Sequence, residues 1–133
     1  MQALFHSRHD LLVRTEDGRQ MVLEEPCEVV VDGMRRFRAP IGSSTDGAST
    51  PRPFWSMLPP DGPWWLAAVI HDAGYRNTLE EWNGEEWKPS TADRTFVDDL
   101  FLALMVTLGV SEQTRLLIYE AVRMAGEHAW HQA

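Results

Sequence analysis

Apolar and polar positions change period near the middle of the chain, which divides it into a β-rich first part and a helical remainder. Between residues 11 and 40, short apolar runs are cut by turn residues. Leu11-Leu12-Val13 leads into Asp17-Gly18, Met21-Val22-Leu23 follows, Cys27 to Val31 reaches Asp32-Gly33, and Met34 to Arg38 returns. Asp-Gly between apolar runs favours a tight hairpin, because glycine adopts positive φ without steric cost. Two hairpins or a four-strand meander are predicted. Arg35, Arg36 and Arg38 alternate around Phe37 and read as a solvated strand edge.

Residues 40–63 carry Pro40, Gly42, Gly47, Pro51, Pro53, Pro59, Pro60, Gly62 and Pro63, which break any long element and predict a long loop of the kind that often bears function. Asp61 is placed to cap the next helix, with Pro63 in its first turn and the helix running from about Trp64 to Arg76. Residues 77–90 read as a second loop, a solvated acidic flap with Glu80, Glu81, Glu85 and Glu86 beside Trp82 and Trp87. Ser90 or Thr91 is placed to cap a helix in which Phe96, Val97, Leu100, Phe101, Leu104, Met105 and Leu108 repeat at helical spacing until Gly109. Ser111 starts another, from about Glu112 to Glu127. The expected fold class is α+β: a small N-terminal antiparallel hairpin sheet followed by about three α-helices. One domain spans 1–133, with a β-rich part over 1–40, a Pro/Gly-rich loop over 41–63 and a helical part over 64–133.

Composition narrows the function classes. The formal charge of −8 offers no broad basic field, so nucleic acid is not an expected partner. Cys27 is the single cysteine, which excludes an intrachain disulfide and any zinc site built on cysteines of one chain; it reads as a small core residue. No stretch approaches the length of a transmembrane helix, and the first ten residues lack the apolar region of a secretory signal. His6, His9, His128 and His131 have no acidic or cysteine companions at ligand spacing and are assigned no chemistry.

The candidate chemistry sits at His71-Asp72-Ala73-Gly74-Tyr75-Arg76-Asn77, directly after the apolar run Leu66 to Ile70. On a helix, Ala68, His71 and Tyr75 share one face while Asp72 is turned about 100° away. A histidine beside a carboxylate can serve as a base next to a bound cation. If this helix packs antiparallel to the next, Asp93 in the first turn of the partner can reach His71, fix its tautomer and leave the other ring nitrogen to take a proton from water. The expected catalytic set is therefore His71 and Asp93, with Tyr75 holding Asp93. Asp72 is then free to ligate Ca²⁺, and Asp46, in the loop Ser43 to Thr50, is the second candidate ligand. Trp82 and Trp87 are the aromatic residues best placed to meet a ligand or partner.

Two resemblances add to this reading. Gly42 and Thr45-Asp46-Gly47-Ala48-Ser49-Thr50-Pro51-Arg52-Pro53-Phe54-Trp55, then Pro59-Pro60-Asp61-Gly62-Pro63, then Ala67-Ala68-Val69-Ile70-His71-Asp72-Ala73-Gly74-Tyr75 resemble the phage and prophage domain-of-unknown-function family 1353, with Ala92-Asp93 and Ala121-Val122-Arg123 fitting its C-terminal part. The resemblance implies a phage or prophage setting, with the protein in the host cytoplasm or the virion. The segment from His71 to Asn77 is also similar to the catalytic-helix motif of secreted bacterial phospholipase A2. In those enzymes a histidine activates water, the next aspartate binds calcium and an aspartate on the partner helix supports the histidine. Carried over, these are His71, Asp72 and Asp93, with Asp46 as the upstream loop ligand. Ile70 and Ala73 stand where those enzymes often carry cysteines. The expected function is a phage-associated, calcium-dependent, phospholipase A2-like hydrolase of a lipid or other ester. The rival expectation is a non-enzymatic virion or tail component, in contact with phage structural proteins, whose His/Asp cluster is a structural polar network.

Overall fold

The computed structural model describes residues 1–6, 13–16, 20–45 and 64–131. In chain order the elements are β1 (Ala3–Phe5), β2 (Val13–Glu16), β3 (Gln20–Leu23), β4 (Cys27–Val31), β5 (Arg35–Ala39), β6 (Ser44–Thr45), α1 (Trp64–Tyr75), β7 (Glu80–Trp82), β8 (Trp87–Pro89), α2 (Arg94–Thr107) and α3 (Glu112–Ala125), followed by a 3₁₀ turn at Gly126–His128. The strands form an antiparallel five-stranded sheet in the order β1-β4-β5-β7-β8 and a three-stranded sheet in the order β2-β3-β6. The α+β class is as expected. The two hairpins also form, but in different sheets: β2–β3 in the small one and β4–β5 in the large one.

Local chemistry explains the larger sheet. Cys27, Val29 and Val31 alternate with half-buried neighbours along β4, and Phe37 and Ala39 do the same on β5, so one face of the hairpin is apolar. Asp32 (φ 52°) and Gly33 (φ 68°) join the strands, and positive φ at both positions is what a type I′ turn requires. Burial pushes the Cys27 thiol up to about 12, in keeping with an inert core residue.

The expectations for the acidic flap and for the arginine strand beside it are corrected here. The solvated acidic flap over residues 77–90 contains the β7–β8 hairpin, which adds to β5. Two of its four glutamates are held by ion pairs from β5: Arg35 Nε to Glu81 Oε2 at 2.8 Å and Arg38 Nε to Glu80 Oε1 at 2.8 Å. The Arg35–Arg38 strand is accordingly an interior strand of the sheet, with Arg36 and Arg38 also lying over the ring of Trp87. The turn is made by Asn83, whose side-chain oxygen accepts from the amides of Glu85 and Glu86, and by Gly84 at φ 100°. At the N-terminus, inside the part expected to be β-rich, β1 pairs with β4.

Helix α1 is buried at every position except Trp65, as befits a helix that is apolar all round and touches α2, β5 and β6. It ends at Tyr75, one residue before the predicted boundary, with Asn77 in the left-handed region (φ 62°) closing the end. Gly74 sets how closely α1 and α2 cross, since a Cβ there would lie 2.6 Å from Val97 Cγ1. Ser111 caps α3 as expected, whereas α2 is capped by Asp93 and not by Ser90 or Thr91. The capping residue expected for α1, Asp61, lies outside the described residues.

A candidate site around a buried histidine–carboxylate pair

The close crossing at Gly74 and Val97 brings together the residues one turn before the first and immediately after the second. His71 Nε2 lies 2.8 Å from Asp98 Oδ1, and the Tyr75 hydroxyl donates to that same oxygen at 2.7 Å. His71 and Tyr75 reach one acceptor because they are four residues apart on α1. On the other side of the carboxylate, Arg123 Nη1 donates to Asp98 Oδ2 at 2.8 Å, and Arg94 Nη1 stands 3.5 Å away. Asp98 has 0% exposure and His71 2%. The Phe101 ring, one turn on from Asp98, packs on the imidazole with 4.6 Å between centroids.

These contacts fix the charge states. Burial alone pushes the Asp98 carboxyl up, but the hydrogen bonds from His71, Tyr75 and Arg123 outweigh it and hold the group below the usual carboxylate range. Asp98 is thus an anion that accepts on both oxygens. Its Oδ1 requires a proton on His71 Nε2, so in the neutral ring Nδ1 carries the lone pair. Burial pulls His71 down, while the Asp72 and Asp98 carboxylates more than offset that and leave its pKa raised. Asp72 Oδ1 is 3.9 Å from Nδ1, beyond a good hydrogen bond and close enough to act on an imidazolium as a charge. Tyr75 is pushed up to about 12, first by burial, with Arg94 opposing and Asp98 adding, so it stays a donor.

The sequence-predicted residues are distributed as follows. His71 and Tyr75 meet at one carboxylate, as expected, but that carboxylate is Asp98 and not Asp93. Asp93 accepts from the Phe96 amide at 2.8 Å as the cap of α2. Five residues separate the two, which is about 7.5 Å of rise and 140° of rotation, too far for one imidazole to serve both. Asp72 is buried beside Nδ1. Asp46 lies outside the described residues. A Ca²⁺ site needs about six to eight oxygen ligands, and no group of three or more His, Cys, Asp or Glu stands together among the described residues.

Asp98, Arg94 and Arg123 were not anticipated. A signal was present for the first: positions 98, 101 and 105 continue the buried stripe of α2, so a carboxylate at 98 has to be paired inside. The C-terminal segment is a further participant. Gly126 lies against the Tyr75 hydroxyl so closely that a Cβ would overlap it. The Trp130 ring meets Tyr75 edge-on at 5.1 Å between centroids, and the His131 amide donates to the Tyr75 carbonyl at 2.6 Å.

Fold and centre together define an α+β protein built around a buried histidine–aspartate pair at a helix crossing. Residues 21–122 match the family model described as a protein of unknown function, DUF1353, and the chain belongs to that family. No curated protein and no solved structure matches the chain.

Proposed function

We propose that this chain is a phospholipase A2-like hydrolase of carboxylic esters that works through His71 and Asp98, in a phage or prophage setting. The observation that carries the reading is the 2.8 Å contact from His71 Nε2 to an Asp98 carboxylate kept anionic by Tyr75 and Arg123. It leaves Nδ1 as the basic atom, on the side of Asp72. In the reaction Nδ1 takes a proton from water as the oxygen attacks the ester carbonyl, and the imidazolium returns that proton to the leaving alkoxide. Asp98 stabilises the imidazolium and holds the ring; it does not itself take the proton. Tyr75, Arg94 and Arg123 are positioning residues acting through Asp98. Calcium, if bound, would stabilise the developing oxyanion, and Asp72 is its one candidate ligand among the described residues.

A second reading is favoured by one specific observation. His71 is 2% exposed, and no buried side-chain nitrogen or oxygen among the described residues lacks a partner. On that reading the cluster is a satisfied polar network pinning three helices, and the chain is a non-enzymatic phage component of the virion or tail. Hydrolysis separates the two. Wild-type protein with calcium is expected to release acid from a panel of short-chain esters and phospholipids, and His71→Gln to lose roughly 10²–10⁴ in rate while staying folded. No turnover by the wild type, combined with a His71→Gln variant that unfolds at lower temperature, selects the structural reading.

A further inference from the structure

Near the C-terminal end of α1, the chain forms a cavity of about 360 Å³ lined by Pro40, Ile41, Gly42, Ser43, Ser44, Ala73, Arg76 and Thr78. Arg76 is the charged group in this lining. Its Nη1 donates to the Ser44 carbonyl at 2.8 Å and lies 3.3 Å from the Ser44 hydroxyl. Arg35, Arg36, Arg38, Arg94 and Arg123 each stand against a carboxylate, whereas Arg76 has none among the described residues. Arg115 also bonds a carbonyl, that of Val110, but does not line this cavity. A half-buried guanidinium tied to neutral oxygens keeps its full charge and most of its donors for an anion.

We propose that this cavity binds a phosphate group through Arg76. The planar fork of donors suits the oxygens of a phosphate, the Ser43 hydroxyl on the same wall can add a further bond, and the volume is that of a small ligand and not of a long acyl chain. With a net charge of −8 the molecule as a whole repels anions, so retention there depends on these short-range contacts. Arg76 follows the last residue of α1 and its amide still donates to the Asp72 carbonyl at 2.9 Å, so the cavity lies one helical turn along the chain from the carboxylate that flanks His71. If the chain is a hydrolase, a consequence that rests on the reading above, its substrate is an ester carrying a phosphate, with the phosphate in the Arg76 cavity.

The test is titration calorimetry in calcium-free buffer with inorganic phosphate and with glycerol 3-phosphate, on wild type, Arg76→Gln and Ile41→Glu. Ile41 is exposed at the cavity mouth, so Ile41→Glu keeps the fold while placing a carboxylate against Arg76. Both variants are expected to weaken phosphate binding about 10–100-fold, the loss of a charge-assisted contact. Tighter binding of glycerol 3-phosphate than of inorganic phosphate assigns the site to a lipid headgroup; equal binding assigns it to free phosphate. No heat with either probe, or equal affinity in all three proteins, overturns the site. Hydrolysis keeps the two proposals separate: Arg76→Gln should raise KM for dihexanoyl phosphatidylglycerol and leave p-nitrophenyl butyrate unchanged. Phosphate binding without turnover of either ester sinks the hydrolase and leaves the site; turnover of both esters with no effect of Arg76→Gln sinks the site and leaves the hydrolase.

Discussion

Asp98→Asn isolates the centre of the network, because the shape is kept and the charge is removed. In the native protein this carboxylate accepts from His71 and Tyr75 on one oxygen and from Arg123 on the other, with Arg94 at 3.5 Å. An asparagine keeps one acceptor oxygen but presents an NH₂ group either to Arg123 or to His71 and Tyr75, so donors face donors. Removing one partner of a buried ion pair costs about 3–5 kcal/mol. Arg123 is partly solvated and can turn to water, which argues for the lower end, about 3 kcal/mol. For a chain of this size that is roughly 10 °C in Tm. The comparison is Asp93→Ala, which removes a helix cap and should cost only about 1 kcal/mol. Thermal unfolding followed by near-ultraviolet circular dichroism reads both. The reasoning fails if Asp98→Asn unfolds within about 2 °C of wild type, or if Asp93→Ala is the more damaging change.

The same centre predicts a pH dependence of stability. Asp98, lowered in the folded state, contributes stability that is full above the ordinary carboxylate pKa and lost as pH falls through its folded value; His71, raised, contributes stability that is full below about 6.5 and lost as pH rises through its folded value. Tm should therefore peak at mildly acidic pH, and a His71→Gln variant whose alkaline slope equals that of wild type would contradict this. Gly126→Ala should cost about 1–3 kcal/mol by overpacking against the Tyr75 ring, which Asp98 and Trp130 keep from moving; an unchanged Tm would mean that the tail yields instead. Calcium is expected to bind with measurable heat that Asp72→Asn weakens more than Glu85→Gln, since Glu85 lies exposed in the β7–β8 turn. Equal effects of the two substitutions, or no heat at millimolar calcium, would remove Asp72 as a ligand.

What could be read from the chain alone was what local periodicity determines. The apolar run before His71 and its four-residue spacing to Tyr75 place both on one helical face, and that face is where the carboxylate lies. Which carboxylate it is depends on how far α1 slides along α2, and no periodicity contains that distance. Gly74 and Val97 set it, by allowing the helices to touch at those two positions. A glycine inside a helical run carries a helix-propensity cost, so its presence next to the histidine already pointed to a close crossing there. With Val97 as its contact, the crossing brings Asp98, the next residue, to His71 and leaves Asp93 at the helix start.

The β7–β8 hairpin was hidden for a different reason. Its strands are Glu-Glu-Trp and Trp-Lys-Pro, whose low β-propensity is overridden by the arginines of β5, which pair the glutamates of β7 beside it in the sheet. The turn itself was visible as Asn83-Gly84, and Arg35 and Arg38 on the neighbouring strand supplied the charge that Glu81 and Glu80 needed. Charge in this chain is thus informative in pairs. Arg35 with Glu81, Arg38 with Glu80 and Arg123 with Asp98 hold distant segments together, whereas Arg76, which lines a cavity and bonds Ser44, meets no carboxylate among the described residues, and that contrast is what the proposed phosphate site rests on.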